Sequence, residues 1–270
     1  MSQNQKSTLT PPRTFAQRSK FYLILLIVIA IYLWSIAGMN FELKEFKQSI
    51  EIVGRIIAGI FSPEWKFITE DEGVIDNMIV TLEIALLGTS IAAVLAVPLG
   101  FLAARNMSKG RWWVSMLGKR LLNVIRTLPE LIIAILFIVA VGPSPFAGVL
   151  AIGFHSMGMI GKLYSEAIEN MDEGTMEALT ACGATRIQTL WHAVLPQVLP
   201  EFISIALYKF EIDVRAASVL GMIGAGGIGT PLLFALSGHS WSRVGAILLG
   251  IIVFVIVIDW ISGAIRKRLV

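Results

Sequence analysis

The run Gly221-Met-Ile-Gly-Ala-Gly-Gly-Ile-Gly229 is the stretch whose spacing most resembles a cofactor site. Gly224, Gly226 and Gly229 satisfy G-x-G-x-x-G, the turn in which bare backbone approaches the pyrophosphate of a dinucleotide. That chemistry needs a strand before the turn, a helix after it, and an acid about 20 residues on for the ribose. Leu248 and Leu249 stand in that region, and the first acid downstream is Asp259, inside an apolar run. Other chemistries fail on spacing too. His155, His192 and His239 match no metal-ligand pattern, and neither a G-x-S-x-G elbow nor a G-x-x-x-x-G-K-[ST] loop occurs. Cys182 is the one cysteine, so no intrachain disulfide is possible. The glycines need another explanation.

The elements that carry these residues are dictated by composition. Of 270 residues, 56% are hydrophobic and 15% charged, with a mean hydropathy of +0.76, whereas a water-soluble domain carries about 25% charge. Too little polar surface exists to face water all round, so the solvent is a bilayer. The N-terminus is not expected to be a signal peptide, because polar residues 1–20 precede the first apolar run and no small-residue cleavage site follows it.

Six stretches are long enough to span: 21–39, 74–104, 121–141, 146–164, 198–220 and 244–265. Backbone at membrane depth must satisfy itself, so these are helices and the expected fold class is an all-α polytopic membrane protein. Pro143 and Pro145 end the third span. Basic residues collect before the first span (Lys6, Arg13, Arg18, Lys20), after the second (Arg105, Lys109, Arg111, Lys119, Arg120) and at the end (Arg266, Lys267, Arg268). With an even number of spans all three lie on one side, the cytoplasm, and both termini are cytoplasmic. The expected organisation is a cytoplasmic tail (1–20), a first transmembrane helix (21–39) and an external segment (40–73). A core of five transmembrane helices (74–265) follows, with a cytoplasmic loop at 168–196 and a short tail at 266–270. The external segment is acid-rich at Glu64, Glu70, Asp71 and Glu72. Within it Phe46, Ile50, Val53, Ile57 and Ile60 recur at helical spacing, which suits an amphipathic helix on the outer surface or packed on the bundle.

The loop between the fourth and fifth spans has its own chemistry. Asp172, Glu173 and Glu177 favour a helix start, Gly183 suits the left-handed position that ends it, and Thr185 with Gln188 forms a capping box for a second helix. Pro196 marks the end of that second helix. A helix-turn-helix invites a DNA-binding interpretation, but Arg186 is the only Arg or Lys between Asp172 and Pro196, so no nucleic-acid partner is expected. Ala178, Gly183 and Ala184 instead allow close approach of a docked cytoplasmic protein.

Glu177-Ala178, Gly183 and Leu195-Pro196 have the order and spacing of the EAA loop, E-A-A-x3-G-x9-I-x-L-P, of permeases in ATP-binding-cassette importers. Leu179 and Ala193 depart from that pattern. The stretches RTLPELI (126–132), FHSMGMIGKLYSEAIE (154–169) and LYKFEIDVRAASVLGMIGAGGIG (207–229) closely resemble phosphonate permeases, although Asp213 stands where that family usually has an amide. The resemblance covers residues 72–270 and implies a type I importer permease in the bacterial cytoplasmic membrane. It further implies a separate ATPase that holds ATP and Mg, an external substrate-binding protein and a second permease copy. The chain itself would hold no cofactor or metal and would not be an enzyme. Glu177, Ala178, Gly183, Leu195 and Pro196 would couple it to the ATPase. The cargo would be a phosphonate or a related phosphorus oxyanion, with phosphite and phosphate esters as alternatives. A stand-alone secondary transporter and a membrane enzyme are the competing classes, disfavoured because no internal repeat and no catalytic spacing is present.

Ionisable residues inside spans are costly facing lipid, so Glu83, His155, Lys162, Glu211 and Arg215 are expected to line a route or form a polar network, with Lys209, Asp213 and Asp259 as further members. Glu211 and Arg215, four apart, would pair with each other, and His155 and Lys162 would share a face. Gly224, Gly226, Gly227 and Gly229 would serve either as a gate or as simple helix packing.

Overall fold

The structure, a computed structural model, describes residues 15–38, 43–70, 73–108 and 111–268, side chains excepted at 15–19 and 43–48. Lys6, Arg13, Asp71, Glu72 and Lys109 lie outside the described residues, as do the side chains of Arg18 and Phe46. The chain divides into two compact units, Met1–Gly54 and Arg55–Val270. Every regular element among the described residues is helical.

The first unit holds α1 (Phe15–Gly38) and the start of α2 (Leu43–Phe61). Between Lys20 and Gly38 the helix is apolar all round, with mean hydropathy 2.4, and its large side chains are exposed, Trp34 to 80%. A helix greasy on every face suits lipid rather than water. The segment expected to be amphipathic is indeed helical as α2, with Ile50, Val53 and Ile57 exposed.

The second unit contains the end of α2, α3 (Lys66–Thr69), α4 (Val74–Ala103), α5 (Trp112–Thr127), α6 (Glu130–Val141), α7 (Pro145–Asn170), α8 (Gly174–Ala181), α9 (Arg186–Thr189), α10 (Leu195–Leu220), α11 (Gly229–Ser237) and α12 (Trp241–Arg266). α4 and α7 form its central pair. Small residues let their backbones approach: Ala85, Ala92 and Ala96 are fully buried, a Cβ on Gly88 would sit 2.7 Å from Ile152, and one on Gly100 would sit 2.8 Å from Tyr164. Inside a bilayer no hydrophobic force drives helices together, so close van der Waals contact of this kind does the holding. On the other side of α7, Gly161 and Gly158 receive Leu122 and Ile125 of α5.

Among the described residues five helices are long and apolar enough to cross a membrane, and a sixth span results if α5 and α6 count as one. That span is not the continuous helix expected at 121–141. It starts at Trp112 and breaks at Leu128-Pro129, where α5 and α6 meet at 80°. The cause is Pro129. Its ring pushes Leu128 into extended backbone (φ −74°, ψ 126°), and α6 restarts with Ile132 N–H donating to the Pro129 carbonyl at 3.0 Å.

Candidate coupling hairpin and intramembrane polar network

The hairpin is built by local chemistry. Gly174 N–H donates to Asp172 Oδ1 at 2.9 Å as α8 begins. At its other end Gly183 has φ +83°, Gly183 N–H donates to the Thr180 carbonyl at 3.0 Å, and Ala184 N–H to that of Leu179 at 3.0 Å. This pair of bonds around a left-handed glycine is the Schellman motif, which satisfies carbonyls the helix end leaves open. Thr185 then caps α9 reciprocally: its N–H donates to Gln188 Oε1 at 2.8 Å, and its Oγ1 accepts from Gln188 N–H at 3.4 Å. Glu177, Ala178, Gly183 and Pro196 are exposed and Leu195 is half-buried. Between them stand two large apolar side chains that nothing among the described residues covers, Ile187 at 70% and Trp191 at 61% exposure.

Pro196 does not end the second helix. Leu190–Val194 forms one π turn, in which Leu195 N–H reaches back five residues to the Leu190 carbonyl, and α10 follows without a gap. The widened turn takes up the register change that a proline without N–H imposes. The base of the hairpin is tied to the α4–α5 loop and to α5: Arg105 N–H of the loop and Lys119 Nζ of α5 both donate to Glu169 (2.7 and 2.8 Å), and Asn106 Nδ2 donates to the Ile168 carbonyl at 2.6 Å.

Deeper in the bundle Asp213, with no exposed surface, accepts from Lys209 Nζ at 2.6 Å, from Ser156 Oγ at 2.8 Å and from Thr89 Oγ1 at 2.7 Å. One carboxylate thus joins α10 to α7 and α4, as a buried charge must be both paired and hydrogen-bonded. Glu211 and Arg215 do not pair with each other. Glu211 Oε1 accepts from Arg266 at 2.7 Å, and Arg215 donates to Asp259 at 2.7 Å. Both side chains face α12, which presents an opposite charge to each.

The glycine run is a buried turn. α10 tightens into a single 3-10 turn at Gly221–Ile223, then Gly224, Gly226 and Gly227 take φ of +105°, +77° and +74° before α11 begins at Gly229. Ala225 and Ile228 are fully buried, and Ile228 N–H donates to Thr81 Oγ1 of α4 at 2.9 Å. A helix, not a strand, precedes the run, so the dinucleotide pattern lacks its structural context.

With this geometry in place, comparison with known proteins is decisive. The family model described as the binding-protein-dependent transport system inner membrane component matches residues 96–270. The chain belongs to this family. The phosphite transport system permease protein PtxC of Stutzerimonas stutzeri is 47% identical over 191 residues, which is 71% of this chain and 69% of that one. The phosphate-import permease protein PhnE of Mycolicibacterium smegmatis is 39% identical over 192 residues, 70% of this chain and 36% of its own length. A chain of the MetNI methionine ABC transporter, in an inward-facing form, superposes with a TM-score of 0.64 at 19% identity, covering 73% of this chain and 96% of that chain. At that identity the likeness speaks for the fold alone. The fold is that of a type I importer permease, and this permease is a multi-pass protein of the bacterial inner membrane.

Within the permease the expected polar residues separate. His155 is half-buried on α7, and Lys209 and Asp213 act on it electrostatically. Lys162 pairs instead with Glu166 of its own helix at 3.6 Å, and Glu83 is exposed on α4. The hydroxyls of Thr89 and Ser156 carry no signal in sequence, because a hydroxyl in an apolar helix ordinarily bonds its own preceding carbonyl. Ile187 and Trp191 do carry one, an apolar pair at i, i+4 in an otherwise polar hairpin.

Proposed function

We propose that this permease is the membrane route of an ATP-driven importer for phosphite, phosphonates or related phosphorus oxyanions. A separate ATPase binds the α8–α9 hairpin and an external protein delivers the cargo. The observation that carries the reading is the hairpin itself: a Schellman turn and capping box present Glu177, Ala178, Ile187 and Trp191 at one exposed surface. Uncovered apolar side chains on an otherwise polar projection mark a protein contact. The cargo class is supported by the phosphite and phosphate transported by the relatives. The basic residues favour termini and residues 172–196 in the cytoplasm and 42–72 outside, which impermeant thiol labelling of Glu64→Cys in intact cells checks.

One copy has too few spans to enclose an oxyanion, so two copies pair about a two-fold axis, each with one ATPase subunit. His155, Lys162, Glu83, Glu211 and Arg215 belong to the route or its supporting network, and Gly224, Gly226, Gly227 and Gly229 to the turn that closes its outer end. Proteoliposomes holding permease, ATPase and binding protein are expected to accumulate radiolabelled phosphite on ATP addition, and the complex to weigh as two permeases and two ATPases. Absence of uptake overturns the cargo, and a one-to-one complex overturns the assembly.

Gly183→Val tests the coupling element. Positive φ costs a branched residue about 1–3 kcal/mol, and no atom lies within 4 Å of the new Cβ, so the fold itself is not crowded. The variant is expected to insert in normal amount yet lose either the bound ATPase or phosphite uptake. Uptake at the wild-type rate excludes the hairpin as the coupling element.

A further inference from the structure

α5 presents three unlike faces. At about 100° per residue, Gly118, Leu122 and Ile125 turn toward the bundle, where a Cβ on Gly118 would lie 2.9 Å from the Cα of Ala103. Trp113, Leu117, Leu121, Val124 and Leu128 fall on a second face, all of them apolar and exposed. Trp112, Met116, Lys119 and Asn123 fall between the two, on the wall of a cavity of about 560 Å³ that Arg105 and Arg120 also line.

The charges around this cavity do not cancel. Lys119 Nζ is paired with Glu169, at 2.8 and 2.9 Å from its two oxygens. Arg105 binds Glu169 through its backbone N–H and not its guanidinium. Neither Arg105 nor Arg120 forms an ion pair among the described residues, and no carboxylate among them lines the cavity. A concave surface with surplus positive charge draws an anion. Its volume falls in the range of about 300–1,000 Å³ that encloses a molecule of some bulk, well beyond what one inorganic oxyanion fills.

Position says which anion. Trp112 and Trp113 stand together at the start of α5, both exposed, and tryptophan in a membrane protein collects at the level of the lipid headgroups. Cations avoid the hydrocarbon, whereas the apolar stripe from Trp113 to Leu128 suits it. That stripe is about 22 Å long, enough to follow an acyl chain through one leaflet, about 15 Å of hydrocarbon. A basic cavity beside an apolar track has the shape and polarity of a phospholipid. A zwitterionic lipid would bring its own ammonium up to Arg105 and Arg120, and an anionic one brings none.

We propose that the cavity at the start of α5 is a binding site for an anionic phospholipid. Arg105, Lys119 and Arg120 hold the phosphodiester, Asn123 hydrogen-bonds the headgroup, and Trp113, Leu117, Leu121 and Val124 carry one acyl chain. The site is independent of the cargo. Because Lys119 also holds Glu169, the lipid sits against the tie at the base of the hairpin.

The test titrates the detergent-purified permease–ATPase complex with phosphatidylglycerol or phosphatidylcholine and counts bound lipid by native mass spectrometry. Phosphatidylglycerol is expected to bind about thirtyfold more tightly, the effect of two cations near a lipid surface. The double variant Arg105→Gln, Arg120→Gln loses that preference. Arg111→Gln, which removes an exposed cation of the same loop outside the cavity, keeps it within about threefold. Excess inorganic phosphate leaves the lipid bound, and in membranes a photo-crosslinking residue in place of Trp112 captures phospholipid. Equal binding of the two lipids by the wild type, or an assembled double variant that keeps the preference, overturns the site. Displacement by inorganic phosphate overturns it by showing a pocket for free oxyanions. Capture of the ATPase in place of lipid does so by showing that a protein covers the cavity.

Discussion

Asp213→Leu is expected to lose about 3–5 kcal/mol of stability and to leave little permease in the membrane, because it strands a buried ammonium without its counter-charge. Lys209 is 2% exposed, and Asp213 is its one ion-pair partner among the described residues. The Ser156 and Thr89 hydroxyls that now donate to the carboxylate could turn to their own helix carbonyls, so most of the cost comes from the lysine. The double variant Lys209→Met, Asp213→Leu removes both charges and is expected to recover most of the lost stability, since apolar replacement of a whole buried pair is often neutral. Thermal unfolding of the purified proteins decides. An Asp213→Leu single variant that melts with the wild type means the pair is not what joins α10 to α7 and α4.

The second large effect is expected at the glycine turn. Gly227 has φ +74°, and a Cβ there would lie 2.5 Å from Thr81 Oγ1, the atom that accepts the Ile228 N–H bond. Gly227→Val adds backbone strain of about 1–3 kcal/mol to the loss of a buried hydrogen bond, about another 1–3 kcal/mol. Gly224→Ala is the control. It shares the positive φ, but its Cβ meets only the Pro143 side chain, at 3.3 Å. Unfolding temperature and phosphite uptake are expected to fall far more for Gly227→Val than for Gly224→Ala. Equal behaviour of the two removes Thr81 from any part in holding the turn.

The spans were legible because an apolar run long enough to cross a bilayer has few other fates. The hairpin was legible because its signals are local: Gly183 and the Thr185–Gln188 pair act within one turn of where they stand in the chain. What stayed hidden depended on orientation. Four-residue spacing fits Glu211 with Arg215 and Lys209 with Asp213 equally well, and only the packing of α10 decides that the first two turn toward α12 while the second two turn inward. Pro129 was visible as a residue, but its 80° consequence was not, because a proline in a membrane helix can equally be absorbed. Pro98 inside α4 and Pro200 inside α10 are absorbed in that way.

From Arg186 to Ile223 the chain runs as one 38-residue helix, about 57 Å long at 1.5 Å per residue. Tyr164 grips it near the middle. Its ring stacks on Phe202 at 3.9 Å, and its hydroxyl donates to the Phe202 carbonyl at 3.2 Å. Measured from Phe202, the arm toward Arg186 is about 24 Å and the arm toward Leu220 about 27 Å. If Tyr164 acts as the pivot, such a rod would work as a balance beam. A push on the hairpin tip would reappear at the glycine turn with nearly the same amplitude and the opposite sense, so the two ends of the rod would move in antiphase without any signal passing between them.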